Sequence, residues 1–304
     1  MIITTRRLFL AFLMLFLNTI VFSQVRPTLP GGDTTRPNNQ GGPRPATTGV
    51  KPYKEIITEK AVTRIGFLKA HKVEDKYYFE IPDDILGRDI LVVNRISQTQ
   101  AGSGYGGDQV GQNVIRFEKG PNNRIFIRTI SYAVYAKDST SPMFSSVANS
   151  NLQPIAFAFD IKAFGKDSAS TVIEITDFIN GDNDVLYFSS GAKTSRRLGS
   201  LQTDKSYIVG VKPYPINIEI KAVKTYGRTP APPTAGGGFG GGAQPTGNLT
   251  VEMNSSLVLL PKTPMQARNF DARVGYFAVG YTDFDANPQG VKDIIIAKRW
   301  RLEP

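Results

Sequence analysis

The chain is 304 residues long, 40% hydrophobic, and carries 36 basic against 26 acidic side chains, a net charge of +10. It has no cysteine, which excludes disulfides, thiolate metal sites and lipid attachment through an N-terminal cysteine, and a chain this long can bury a core without such staples. Basic residues never run longer than two and no nucleic-acid motif accompanies them, so the charge suits an anionic envelope surface or an acidic protein partner rather than nucleic acid.

Residues 1–24 have the layout of a secretory signal peptide: Arg6 and Arg7, an apolar run over 8–17, and a short stretch leading to Ser23 before Gln24. The apolar core is short for a spanning helix and no stop-transfer charges follow; an N-terminal membrane anchor is the other reading of the same residues. Removal of the segment takes Arg6 and Arg7 with it, leaving a mature chain near +8 in a secreted or periplasmic location. Residues 25–50 are rich in Pro, Gly, Thr and Asn and hold too few large apolar side chains to offset the entropy of ordering. They read as a disordered leader.

Beyond this leader the apolar residues alternate with period two. Tyr77, Phe79 and Ile81 fall on one face, and Ile90 and Val92 oppose Leu91 and Val93. Residues 82–87 read as one short turn with an aspartate cap and a glycine stop, and the Gly-rich run 101–111 as a loop. Residues 114–118 and 124–135 flank Gly120-Pro-Asn-Asn123, the signature of a β-hairpin. Further strands are expected over 155–164, 172–175, 206–211, 216–223, 249–260, 274–281 and 293–300, with a second short helix within 177–189. Residues 229–247 form a Gly/Pro-rich flexible insertion between two strands, where added loop length costs little closure entropy. The spacing predicts a mainly β fold, an antiparallel β-sandwich or barrel-like sheet with one or two short helices.

Chemistry is scarce. His71 is the only histidine, whereas a zinc-hydrolase shell needs two or three His or Cys ligands. No Gly-x-Ser-x-Gly elbow is present for which His71 would be the base, so it reads as a half-buried or exposed strand residue. Gly102-Ser-Gly-Tyr-Gly-Gly107 runs into a strand and lacks the helix that a dinucleotide loop requires. Asp283-Phe-Asp285-Ala-Asn287 has partial calcium-loop spacing without the central glycine or the distal glutamate, and reads as a polar turn. No catalytic, cofactor-binding or metal-binding residue is assigned.

The closing stretch, 263–304, is dense in Arg, Asp and aromatic residues. Arg268, Asp271 and Arg273 surround Phe270, while Arg299 and Arg301 flank Trp300, the only tryptophan. Arginine pairs bidentately with carboxylates and stacks on aromatic rings, so Arg268, Asp271, Arg273, Arg299, Trp300 and Arg301 suit an ordered network at an interdomain junction. An ordinary strand with a charged face is the alternative.

These residues carry a resemblance. The block from Ile65-Gly-Phe-Leu-Lys-Ala-His71 to Arg88-Asp-Ile-Leu-Val-Val-Asn-Arg-Ile-Ser97 resembles the N-terminal module of a family of large secreted bacterial zinc-dependent metalloproteases. In that family two domains of uncharacterised function precede the catalytic domain. Pro213-Tyr-Pro-Ile-Asn-Ile-Glu-Ile220 and Pro264-Met-Gln-Ala-Arg-Asn-Phe-Asp-Ala-Arg-Val-Gly-Tyr-Phe277 resemble the second of them, and Lys298-Arg-Trp-Arg-Leu-Glu-Pro304 the junction leading onward. The resemblance divides the chain into a small N-terminal module, 51–100, and a β-rich second module, 101–304. It implies a zinc peptidase whose His-Glu-x-x-His motif lies in a catalytic domain beyond these residues, so no ligand or catalytic group is carried over. The expected role is a non-catalytic region that packs, in cis or in trans, against a metalloprotease catalytic domain. The rival is a free-standing β-module binding a surface glycan or protein, with aromatics near Tyr132, Tyr135 and Phe144 as stacking platforms.

Overall fold

A computed structural model describes residues 49–165, 168–229, 247–287, 290–299 and 301, all within the compact unit Thr48–Pro304. The signal segment, nearly all of the leader, the body of the 229–247 insertion and Trp300 lie outside the described residues. The chain opens with α1 (Tyr53–Ile56), β1 (Val62–Ile65), β2 (Lys69–Val73), β3 (Lys76–Pro82), β4 (Ile90–Thr99), β5 (Gln109–Gly120) and β6 (Arg124–Ile130). Then come β7 (Val134–Tyr135), α2 (Pro142–Ser150), β8 (Ile155–Phe164), β9 (Ser170–Glu174), α3 (Thr176–Asn180) and α4 (Ser190–Ser195). It closes with β10 (Leu198–Leu201), β11 (Tyr207–Pro213), β12 (Asn217–Arg228), β13 (Leu249–Leu259), β14 (Ala278–Asn287) and β15 (Gly290–Ala297).

The fold is mainly β, with a nearly closed, barrel-like antiparallel sheet and, among the described residues, four short helices. The large sheet runs β1-β2-β3-β9-β8-β6-β5-β4-β13-β12-β10, with β11 also paired to β12. β3 pairs with β9 and β4 with both β5 and β13, so residues 51–100 share one sheet with the residues that follow them. Period-two alternation sets the inner face. On β12 it places Ile218, Ile220, Ala222, Lys224 and Tyr226 in the interior, opposite Leu249, Val251, Met253, Ser255 and Leu257 of β13. The β5–β6 hairpin forms as its turn residues predict, with Asn122 and Asn123 at φ 57° and 54°.

Two features shape the interior. First, residues 175–188 enter the barrel and bury Ile175, Phe178, Ile179, Val185, Leu186, Tyr187 and Phe188. Asn94 Nδ2 holds this plug to the wall through the Val185 carbonyl at 2.9 Å. Secondly, the sheet closes at only one end. Phe67 N donates to Tyr214 O at 3.0 Å, joining the β1–β2 turn to the end of β11. Gly66 permits this approach, since a Cβ there would lie 2.4 Å from the Tyr214 carbonyl oxygen. Beyond that contact no strand pairing joins β1 to β11 among the described residues.

The N-terminal strap departs from the expected leader at its last residues. Val50 packs against the core and Lys51 N donates to Lys162 O at 2.8 Å, so ordered chain begins before residue 51. α1 then lies over Tyr78, Ala163 and Val172 on the outer face of β3, β8 and β9. The turn expected at 82–87 forms as Asp83–Ile85, but it is capped by backbone alone, and Gly87 ends it at φ 74°.

Candidate functional site

The closing stretch folds back on itself. From Pro261 the chain runs irregularly to the single turn Ala272–Val274, which Gly275 ends at φ 74°. That left-handed residue breaks extended backbone, so the strand expected from Val274 starts at Ala278 instead. Asp271 accepts the Arg273 backbone N–H at 3.0 Å and its guanidinium at 2.9 Å and 2.5 Å. This pairing holds the Asp271 carboxyl below its ordinary range. Arg268 takes part through its carbonyl, which accepts Ala297 N–H at 2.8 Å, while Phe270 N donates to Ile295 O at 3.0 Å. Residues 268–270 thereby line the edge of β15. Arg299 donates to Gln266 O and Arg301 to Thr263 O, each at 3.0 Å. Three of the six junction residues, Arg268, Arg299 and Arg301, therefore tie the two ends of one stretch together through backbone carbonyls, while Asp271 and Arg273 form a local ion pair within it.

The sheet they frame is unusual in its exposure. β15, β14 and β7 form a three-stranded sheet in which no described strand residue is buried. Register places Val279, Tyr281, Ile294 and Ile296 on one face and Ala278, Ile295, Val291 and Ala297 on the other. Phe277, at the head of β14, is 85% exposed, and Tyr276, Val279, Val291 and Ile295 are also open to solvent. A tyrosine edge contact, Tyr135–Tyr281 at 6.0 Å, and Asp285, which accepts Asp138 N–H at 2.9 Å, join it to the β7 segment. Asp283 and Asp285 are therefore strand residues in backbone hydrogen bonds, where a polar turn had been expected.

The aromatics expected to act as platforms do converge. Tyr132, Tyr135 and Phe144 border one cavity of about 520 Å³ between β5, β6 and α2. Its charged floor is already paired: Arg116 Nε donates to Asp89 at 2.5 Å and its Nη2 to Tyr132 Oη at 2.9 Å, while Arg128 Nε donates to Glu118 at 2.7 Å. Those pairings leave an apolar hollow with satisfied ions.

Two buried ionic groups were not foreseen. His71 is 1% exposed, which corrects the expectation of a half-buried or exposed residue. It lies beside Glu80 on the outer face of β2 and β3, under the N-terminal strap. The Glu80 carboxylate accepts from Lys69 at 2.8 Å, Ser170 at 2.8 Å, Tyr53 at 2.9 Å and His71 Nε2 at 3.1 Å. Burial alone would raise its pKa, but the donors from Lys69, Ser170 and Tyr53 outweigh burial and hold it at about 2. Burial lowers the His71 pKa against the pull of Glu80, so the ring is neutral, with Nδ1 in contact with Thr63 Oγ1 at 2.8 Å. The second group is Lys224, fully buried, whose ammonium donates to the carbonyls of Ile179 at 2.6 Å and Asn180 at 2.7 Å. Its in-register place after Ile218, Ile220 and Ala222 was the signal that could have found it.

Among the described residues no cluster of three His, Cys, Asp or Glu side chains is placed to hold a metal, and both His71 nitrogens already have partners. The described helices include none long and apolar enough to cross a membrane.

No curated protein and no solved structure matches the chain. Residues 50–99 match a second family, Domain of unknown function (DUF5118). Residues 107–304, well over half of the sequence, match the family described as Domain of unknown function (DUF5117), and the chain belongs to that family.

Proposed function

We propose that this protein is the non-catalytic accessory region of a secreted zinc-dependent metalloprotease, and that its terminal sheet is the surface on which the catalytic domain packs. The observation that carries the reading is the β7-β14-β15 sheet, which has apolar side chains on both faces and no buried strand residue. Sheets of this size, here with β15 antiparallel and β7 parallel to β14, gain their stability by covering at least one face. The sheet also adjoins residues 298–301, the run that resembles the junction toward the peptidase domain. Val279 lies on one face and Val291 and Ile295 on the other, so a domain packing on one face covers about two of these large side chains, at up to about 1.5–3 kcal/mol each. The total, roughly 3–6 kcal/mol, sits at the low end of the ~4–15 kcal/mol cost of association. Such a surface holds a tethered domain well and a free one weakly, since a short tether supplies roughly millimolar effective concentration.

The test is to produce the chain together with a His-Glu-x-x-His peptidase domain encoded at the same locus and to measure the complex by light scattering after gel filtration. A shared peak that is lost in the Phe277→Asp/Ile295→Lys variant supports the reading. Separate elution of the two wild-type parts, both linked and unlinked after cleavage, sinks it.

A further inference from the structure

The open seam of the barrel carries a second proposal, independent of what covers the terminal sheet. Two hollows flank β11. One, of about 220 Å³, lies between β11 and the β1–β2 hairpin; the other, of about 620 Å³, lies over the outer face of β12, β13 and β4. They share Val209, Gly210 and Lys212, so β11 forms the wall between them.

The lining has a clear sign. Arg64 and Lys72 face the first hollow, Arg95 and Lys221 the second, and Lys212 both. Among the described residues the side chains of Arg64, Arg95 and Lys212 make no hydrogen bond or ion pair, and Lys221 reaches Glu252 only at 3.5 Å. The one acid in the two linings is Glu219, whose oxygens already accept Asn217 at 2.6 Å, Asn254 at 2.6 Å and Ser256 at 2.7 Å. The seam therefore holds a surplus of cations, Arg64, Lys72, Arg95, Lys212 and Lys221 against Glu219, and Arg64 and Lys212 have no carboxylate partner among the described residues.

Its backbone is also open. β11 pairs with β12 on one side, and the β1–β2 hairpin reaches it by a single backbone bond, Phe67 to Tyr214, at the closed end. The remaining length of the edge is unpaired, and β1 is likewise paired only with β2. Tyr207 and Val209 on β11 and Val62 on β1 are exposed beside it. An exposed edge with unpaired N–H and C=O groups is a template for an added strand, and flanking side chains select what adds.

We propose that the β11 edge binds an extended acidic peptide segment as an added strand, with Arg64 and Lys212 pairing its carboxylates. Main-chain hydrogen bonds hold the segment, and the cations set its sign.

The test uses fluorescence polarisation with the full chain. The probe is a labelled peptide of alternating Glu and Val, as long as β11 at 7 residues. Its Lys-for-Glu counterpart, a version N-methylated at alternate amides, and a sulfated oligosaccharide are the comparisons. Salt-sensitive binding of the acidic peptide, weakened about tenfold or more by N-methylation and by Arg64→Glu/Lys212→Glu, supports strand addition. Equal binding of the N-methylated peptide overturns it, because the contact would then be charge alone. Tighter binding of the oligosaccharide than of the peptide also overturns it and assigns the cations to an anionic glycan. No binding of the acidic peptide up to about 1 mM overturns it as well. The N-methylated probe uses the unaltered protein, so misfolding of the charge-reversed variant does not blunt the result.

Discussion

The Lys224 ammonium donates to the Ile179 carbonyl at 2.6 Å, deep inside the barrel, and so joins strand β12 to the end of the α3 plug helix. It also lies 4.6 Å from the Tyr187 ring centroid. Tyr187 Oη donates to the same Ile179 oxygen at 2.6 Å, and its backbone is held at φ 70°, a left-handed conformation rare for a bulky residue. One wall strand, one plug helix and one aromatic ring thus meet at a single carbonyl.

This arrangement predicts an alkaline stability maximum. Burial lowers the Lys224 pKa from 10.5 to about 8. Between those values the unfolded chain binds more protons than the folded one, so stability rises as pH increases, by ~3 kcal/mol across the window. Burial raises the Tyr187 and Tyr226 pKa values, so above about pH 10 the unfolded chain loses protons that the folded chain keeps, and stability falls. Urea unfolding followed from pH 7 to 11 should show this rise and fall. Lys224→Met should remove the rise and leave the fall.

On the acid side the Glu80 cluster predicts a loss of stability as pH falls. Glu80 is held at about 2 against an ordinary 4.5, so its contribution is complete above pH 4.5 and is lost as pH drops toward 2. His71 is buried neutral and its pKa is lowered, so the unfolded chain takes up a proton first and stability already declines below about pH 6.5. Glu80→Gln should cost about 2–4 kcal/mol at neutral pH, because it leaves buried donors without a charged acceptor. It should also bring the Tyr53 phenol down from about 12, where burial and then Glu80 hold it. A Tyr53 titration unchanged in this variant would show that the strap does not depend on the carboxylate.

Glycine substitutions separate the seam from the surface. Gly66→Ala forces a Cβ into the Tyr214 backbone and should destabilise by about 1–3 kcal/mol, with faster amide exchange at Phe67. Gly191 lies in α4 with nothing near its Cβ position, so Gly191→Ala should stabilise by about 0.4–1 kcal/mol. Thermal melts of the two variants should therefore move in opposite directions.

How much of this was legible depended on whether the signal was local. The β5–β6 hairpin was readable because alternation and Gly120-Pro-Asn-Asn123 agree about the same turn. The plug was not, since residues 185–188 are buried on every side and therefore show no period. Barrel closure rests on Gly66 meeting Tyr214, a contact between distant residues that no window contains. In the closing stretch the residue types suggested a side-chain network, but Arg268, Arg299 and Arg301 bond through or to main-chain carbonyls, which residue identity does not encode. The Asp271–Arg273 pair, two residues apart, was the part that local spacing could reveal.

The terminal sheet yields the sharpest separation of surface from stability. Phe277, Val279, Val291 and Ile295 are exposed, so replacing them removes little buried area within the chain. Phe277→Asp and Ile295→Lys should each shift stability by no more than about 0.5 kcal/mol, the ordinary range for surface changes. The same changes remove exposed apolar side chains from a sheet open on both faces, the kind of surface that recruits dyes, second copies or a true partner. The double variant should therefore bind less 1-anilinonaphthalene-8-sulfonate and self-associate less on concentration, while its melting curve overlays the wild type. A large loss of stability would mean that these side chains are covered within the chain itself. That outcome would remove the observation on which the proposed docking surface rests.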